Sequence, residues 1–456
     1  ALAAAGVALG DWGTRPAEER AAILIRAAAI LRGRRFELAA WEVFECGKPW
    51  READADVCEA IDFCEFYARE IVRLSEPRRR DVPGETNVCD RVPRGVAVVI
   101  PPWNFPLAIP CGMTVGPLAA GCPAVLKPAE QSPIIASKLV EILHEAGVPP
   151  GALHYLPGVG EEVGQALVND PRVAVVSFTG SRQVGLLLNK QAAETPPGQD
   201  HVKRVLAEMG GKNAIIIDDD ADLDEAVVGV LQSAFGYSGQ KCSACSRVVV
   251  LEGAYDAFVA RLAEAGRSLR VGPAEDPDTI VGPLIDFDAR KRVLEYRAIA
   301  GTEGRVVLDA DVSEIADRGT FVGPLIVADV KPDARVAQEE IFGPVLAVLK
   351  ARDLDDALAI AEGTSYALTG GLYSRSPATI ERVRRDFRVG NLYVNRAITG
   401  ALVDRQPFGG FKLSGVGAKA GGSEYLLEFL LTRSVTENTM RRGFAPEGVA
   451  SSAVGK

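Results

Sequence analysis

The sequence predicts an α/β protein, with mostly parallel sheets carrying helices on both faces and two or three packed units. Three observations carry this prediction. Short β-branched apolar runs alternate with longer stretches of helical periodicity, the pattern of repeated βαβ units. Turns rich in glycine and proline follow the runs, where strand must cross over to helix. The 456 residues, 47% hydrophobic and 25% charged, are ordinary for a globular chain and too many for a single core.

Taken in order, the alanine-rich start (1–10) has no basic leader and reads as a helix already under way rather than as a signal peptide. Residues 96–100 and 124–126 read as strands. A helix is expected over 132–146. Ser132 and Pro133 mark its start, Ile135, Leu139, Ile142 and Leu143 recur at helical spacing, and Gly147 stops it. Strand 153–156, helix 161–169, strand 173–178, a helix from Ser181 and strand 204–208 complete a first series. A second series follows Glu208, with helices 223–237, 254–269 and 354–361 and strands 246–251, 345–349 and 391–395. Gly210-Gly211 and the loop 399–410 are expected hinges. Residues 81–94 and 433–437 fit neither series and read as exposed strands of the kind that pair with another subunit.

The net charge of -10, from 51 basic and 61 acidic residues, argues against a general binder of nucleic acid or anionic membrane. No uncharged apolar run is long enough to span a bilayer. The 8 cysteines are dispersed through a long chain, which implies a reducing compartment and a cytoplasmic location rather than a disulfide framework. None of the 3 histidines neighbours a cysteine, so neither a Cys-His protease nor a zinc site is expected.

The most informative segment is Gly239-Gln240-Lys241-Cys242-Ser243-Ala244-Cys245-Ser246-Arg247. It holds Cys242 among small and polar residues just after a helix, a setting for a reactive thiol at a site floor. Cys242 and Cys245 also form C-x-x-C, so a dithiol redox pair and half a zinc site stay open. No second cysteine pair completes a zinc site, and a redox pair usually precedes a helix. A free thiol titrates near ~8.5 and needs a base or an electropositive setting. Glu208, at a strand end beside two glycines, is the candidate base; the plain alternative is a surface glutamate. Asn104, in the stiff loop Pro102-Trp103-Asn104-Phe105-Pro106, offers a rigid amide to a developing oxyanion, or simply holds its own turn. Phe178-Thr179-Gly180-Ser181 opens a helix after a strand and suits a pyrophosphate, a plain tight turn being the alternative. Gly158-Val159-Gly160 approaches the dinucleotide fingerprint but lacks its third glycine. Lys127 and Glu130 end another strand, where such side chains bind ribose hydroxyls.

In this order and over nearly the whole chain, these motifs resemble the aldehyde dehydrogenase superfamily. The segments 239–244, 398–403 (Ile-Thr-Gly-Ala-Leu-Val) and 406–410 (Gln-Pro-Phe-Gly-Gly) most resemble its branch that oxidises L-glutamate 5-semialdehyde. The resemblance implies a Rossmann-type dinucleotide-binding domain (1–81, 97–207 and 403–430), a catalytic domain (208–402) and a small β extension (82–96 and 431–446) that builds a homodimer or larger homo-oligomer. It implies oxidation of the semialdehyde to L-glutamate in proline degradation, through a thiohemiacetal and thioester on Cys242, with possible functional coupling to a proline dehydrogenase. Asn104 and the Cys242 N–H would form the oxyanion hole, and Glu208 would activate the hydrolytic water. NAD is the implied cofactor, with NADP possible, because Glu130 should repel a 2′-phosphate. Its implied contacts are Pro102, Trp103, Lys127, Glu130, Gly160, Gly164, Phe178, Thr179, Gly180, Ser181, Gly210, Glu340 and Phe342. Ser243, Gly400 and Ala401 would hold the substrate carboxylate, Phe105 and Phe408 its aliphatic part, Glu45 its ammonium, and Lys241 would join them. Family members usually begin with further residues, a hairpin and first strand, so this sequence is expected to start inside a later helix. The alternatives are an aldehyde dehydrogenase for another semialdehyde such as succinic, a nucleotide-binding chain without catalysis, and a C-x-x-C redox module.

Overall fold

The computed structural model describes residues 1–440. A six-stranded sheet runs in the spatial order Gly415–Val416, Arg204–Glu208, Val173–Thr179, Val96–Ile100, Ala124–Leu126, Leu153–Tyr155. All its pairs are parallel except that of Gly415–Val416 with Arg204–Glu208. Val173–Thr179, Val96–Ile100 and Ala124–Leu126 are buried on both faces, which is why they read as near-continuous apolar runs. Ala97, Val99, Ala124 and Leu126 pack into one core with helices Ala17–Gly33, Trp50–Ser75, Ala108–Ala120 and Pro133–Ala146. Val96, Val98, Val125 and Val176 face the opposite core, against Leu2–Thr14 and Arg182–Ala192. Adjacent residues serving opposite cores is the period of two at work. The first strand of this sheet in chain order, Val96–Ile100, lies between its second, Ala124–Leu126, and its fourth, Val173–Thr179. The connection reverses direction there, leaving a crevice at the carboxyl ends of the strands.

The second sheet has seven strands, in the order Arg305–Asp309, Leu325–Ala328, Val345–Ala351, Cys245–Leu251, Asn213–Ile217, Thr369–Tyr373, Asn391–Val394. Only its edge pair, Arg305–Asp309 with Leu325–Ala328, is antiparallel. Two further cores cover its faces. A small third sheet joins Arg78–Arg79, Glu85–Pro93 and Leu430–Asn438. The exposed segments expected to pair with another subunit thus pair with each other, in register from Leu430 opposite Pro93 to Asn438 opposite Glu85. Residues 441–446 of the expected β extension lie outside the described residues.

Two elements depart from the sequence reading. The helix expected over 161–169 opens with a wide π turn, Gly160–Gly164, before the regular turn Gln165–Asn169. Glycines at both ends of that turn leave the backbone free to widen. The helix expected over 223–237 stops at Phe235, because Tyr237 and Ser238 adopt left-handed backbone angles, φ 52° and 57°. Non-glycine residues take that conformation only when the surroundings over-determine it. Here the Tyr237 hydroxyl donates to the Cys46 carbonyl at 3.1 Å, and Ser238 Oγ to the Gly282 carbonyl at 2.7 Å.

Candidate active site

The carboxyl ends of four neighbouring parallel strands deliver nearly half of the candidate residues. Glu208 ends Arg204–Glu208, and Phe178-Thr179-Gly180-Ser181 ends Val173–Thr179. Pro102, Trp103, Asn104 and Phe105 follow Val96–Ile100, and Lys127 and Glu130 follow Ala124–Leu126. One cavity brings together Phe105, Phe178, Thr179, Glu208, Cys242, Ser243, Gly400, Ala401 and Phe408.

Cys242 sits on a loop pinned from several sides. Asn213 Nδ2 donates to the Cys242 carbonyl at 2.8 Å and to that of Ala244 at 2.9 Å. Gln240 accepts from the Ile285 N–H at 2.9 Å, and its carbonyl accepts from Asn104 Nδ2 at 3.0 Å. Gly239 must be glycine, since at its φ of 69° a Cβ would lie 2.5 Å from the Gly343 carbonyl oxygen. Asn104 therefore has one amide N–H committed next to the thiol and a second available. Burial pushes the Cys242 thiol up to about 12, with Glu340 and Glu208 adding to the rise. Cys245 begins a strand, is buried and donates to the Arg247 carbonyl at 3.3 Å; both thiols are free, so the pair forms no bridge.

Burial likewise pushes the Glu208 carboxyl up to about 8, against the opposing charge of Lys419 and a hydrogen bond from the Gly410 backbone. Its Oε2 has no hydrogen-bond partner. Side chains on Gly409 or Gly415 would collide with the carboxylate, their Cβ positions lying 2.8 Å and 3.1 Å from its oxygens. Gly409 of the Gln-Pro-Phe-Gly-Gly segment thus leaves room for the Glu208 carboxylate.

The crevice beside these residues fits a dinucleotide. Lys127 Nζ and Glu130 Oε1 are 2.5 Å apart, and a Cβ on Gly160 would lie 3.4 Å from that same oxygen. This ammonium–carboxylate pair, with bare backbone opposite, offers a donor and an acceptor to sugar hydroxyls. Gly164 ends the wide turn with open space at its Cβ position. Ser181 caps Arg182–Ala192, its Oγ accepting from the Val184 N–H at 3.3 Å, and Gly180 precedes it. The unpaired N–H groups and the dipole of that first turn favour a phosphate. Glu340 accepts from the Gly211 N–H at 3.0 Å and packs on Gly210, where a Cβ would come within 2.0 Å of it. Phe342, at φ 57°, stands edge-on to Trp103 with ring centroids 5.6 Å apart.

Of the residues named for catalysis and substrate, Asn104 is buried behind the cavity wall with its amide on the Gln240 carbonyl, and Glu45 and Lys241 are turned to other partners. Glu45 accepts from the N–H groups of Ile134 and Ile135, at 2.6 and 2.8 Å, and so caps Pro133–Ala146. A helix N-terminus is where a carboxylate is favoured, and Glu45 is not available to a substrate ammonium. Lys241 instead pairs with Glu52, its Nζ 2.6 Å from Oε1. The sequence reading missed Glu59, Phe63, Met113 and Tyr425, which complete the cavity wall. Burial and the charge of Asp56 push Glu59 up to about 8. Its signal was a spacing of i, i+4 and i+7 with Glu52 and Asp56, hidden among the other acids of its helix.

The aldehyde dehydrogenase family profile matches residues 1–435. The chain belongs to the aldehyde dehydrogenase family. Among its aldehyde dehydrogenase relatives, the 1-pyrroline-5-carboxylate dehydrogenase of Geobacillus kaustophilus is 50% identical over 438 residues, covering 96% of this chain and 85% of that one. The one from Bacillus subtilis is 48% identical over the same 96% of this chain. A solved 1-pyrroline-5-carboxylate dehydrogenase from Thermus with bound NAD superposes with a TM-score of 0.93 at 48% identity, covering 96% of this chain and 84% of that one. Proline utilization A from Bdellovibrio bacteriovorus gives a TM-score of 0.95 at 52% identity, and this chain spans 46% of its length.

Proposed function

We propose that this aldehyde dehydrogenase oxidises L-glutamate 5-semialdehyde, formed by hydration of 1-pyrroline-5-carboxylate, to L-glutamate with NAD, as a step of proline degradation. The observation that carries the reading is one cavity holding a thiol, Cys242, and a carboxyl with an unpartnered oxygen, Glu208, beside a crevice fitted to a dinucleotide. Cys242 Sγ attacks the aldehyde carbon as its proton passes to solvent water, and the carbonyl π pair moves to oxygen, where the free Asn104 N–H and the Cys242 N–H donate to it. Bound NAD supplies the hydride acceptor for this chemistry. Glu208 Oε2 then takes a proton from water, whose oxygen displaces sulfur from the thioester, and returns that proton to the departing sulfur, releasing the acid and restoring the thiol.

Specificity follows from the walls. Ser243, Gly400 and Ala401 bring hydroxyl and backbone N–H groups to a carboxylate, with no bulk to block it. Phe105 and Phe408 cover the methylene chain. Glu59, not Glu45, is the carboxylate we assign to the substrate ammonium, being the second carboxylate in the cavity wall. Glu130 favours NAD over NADP by repelling a 2′-phosphate. The relatives named for proline utilization A support coupling to a proline dehydrogenase, and the free thiols support a cytoplasmic location. Among the described residues no helix is long and apolar enough to cross a membrane.

The test is NADH formation from 1-pyrroline-5-carboxylate, run beside succinic semialdehyde and with NADP replacing NAD. Wild type should prefer the first substrate and NAD, and Cys242→Ala should form no NADH. Faster turnover of succinic semialdehyde would reassign the substrate, and turnover by Cys242→Ala would remove the thiol from the mechanism.

A further inference from the structure

Glu52, Asp56 and Glu59 stand at i, i+4 and i+7 on helix Trp50–Ser75, one above another on one face. That face packs beside the site, and its Glu59 end reaches it. Glu52 holds Lys241, the neighbour of the nucleophile, and Glu59 lines the cavity. Asp56, between them, has no part in the chemistry so far described. Its Oδ2 lies 2.7 Å from Lys48 Nζ, and its Oδ1 accepts the Ala108 N–H at 2.9 Å.

The Lys48 side chain is wholly shielded from solvent. Its Nζ donates to Asp56 and, at 3.0 Å, to the backbone carbonyl of Asn104. It also lies 3.6 Å from Glu42 Oε2 and 4.2 Å from the centroid of the Phe105 ring. One buried ion pair thus grips the loop that carries the oxyanion donor at Asn104, at Phe105 and at Ala108. Apolar side chains of similar size would stabilise a core as well as a buried ion pair does. What the charges add is direction, because hydrogen bonds to an ammonium and a carboxylate fix where the loop backbone lies.

We propose that Lys48, paired with Asp56, is a positioning residue that aims the Asn104 side-chain amide at the substrate oxygen. This rests on the reading of Asn104 as the oxyanion donor. Acylation of Cys242 by p-nitrophenyl acetate reports thiol attack and oxyanion stabilisation without semialdehyde or dinucleotide, so it stands apart from the substrate assignment. Lys48→Met is expected to slow the p-nitrophenolate burst roughly 10–100-fold, the scale of a misplaced or lost oxyanion donor. Burst amplitude, which counts reactive thiols, and NAD affinity should not change. In an Asn104→Ala background the same substitution should cost less than about twofold, because the residue it acts through is gone. An unchanged burst rate in Lys48→Met, or equal losses in both backgrounds, would overturn the proposal. A wild-type rate in Asn104→Ala alone would overturn the oxyanion assignment beneath it. Should Lys48→Met not accumulate as folded protein, Asp56→Asn, which keeps an oxygen for the Ala108 N–H, decides by the same two comparisons.

Discussion

Glu208 and Cys242 both hold their protons at neutral pH, since burial raises the carboxyl to about 8 and the thiol to about 12. A base that must first ionise imposes a pH limb. Steady-state turnover should climb as pH rises toward 8, where Glu208 becomes carboxylate, and level above it. Glu208→Gln should keep the first NADH burst but lose roughly 10²–10⁴-fold in steady-state rate, the usual worth of a general base. Stopped-flow absorbance across pH 6–10 checks both, and an unchanged limb in Glu208→Gln would remove its role. The same shift bears on folding. A carboxyl raised from 4.5 to about 8 favours the fold at low pH and loses that contribution as pH rises through 8, so wild type should lose melting temperature relative to Glu208→Gln over that window. Glu59 and Glu45 separate by their surroundings. Glu59→Gln should raise KM for the semialdehyde about tenfold or more, by loss of a charged hydrogen bond. Glu45→Gln should leave KM alone and cost about 1 kcal/mol of stability as a weakened helix cap. Kinetics and thermal melts on the two variants check this pair, and the opposite assignment of effects would restore Glu45 to the substrate.

At the scale of elements, Val96–Ile100, Val173–Thr179 and Val345–Ala351 were legible because they are buried on both faces and consist mostly of valine, isoleucine, leucine and alanine, whereas Asn213–Ile217, Arg305–Asp309, Leu325–Ala328 and Thr369–Tyr373 of the second sheet were not picked out. The helix Pro133–Ala146 was legible from its ends, with Ser132 and Pro133 before it and Gly147 at φ 113° after it. The turn Gly236–Gly239 was not, because Tyr237 and Ser238 owe their left-handed backbone to partners 191 and 44 residues away in the chain. Glu59 was hidden for a related reason. Helix Trp50–Ser75 carries acids all around it, and only the packing of Lys48 and Lys241 shows which of them face inward. The nucleophile loop should accordingly be intolerant of substitution at Gly239. Gly239→Ala meets both a positive φ and the Gly343 carbonyl, and should destabilise by at least about 1–2 kcal/mol. It should also slow Cys242 alkylation by iodoacetamide; wild-type melting and alkylation would show the loop to be less constrained than its contacts imply.

For the molecule as a whole, the third sheet presents Leu430–Asn438 as its outermost strand, exposed along nearly its whole length. Leu431 and Val435 are 42% and 47% exposed on one side of that strand. Unpaired strand edges with apolar side chains invite a second copy. Leu431→Lys with Val435→Lys should shift the protein toward monomer in multi-angle light scattering while leaving the active site, built within one chain, competent. An unchanged mass would place any self-association elsewhere. The two large sheets meet at a short connection. Glu208 is the last residue of a strand in one, and Asn213, which grips the carbonyl of Cys242, is the first residue of a strand in the other. Gly210 and Gly211 lie between them. The proton acceptor and the clamp on the sulfur-bearing backbone therefore ride on opposite sides of one glycine joint. On the proposed mechanism, an opening of the two halves about that joint would carry those groups apart, and hydrolysis would wait on their return.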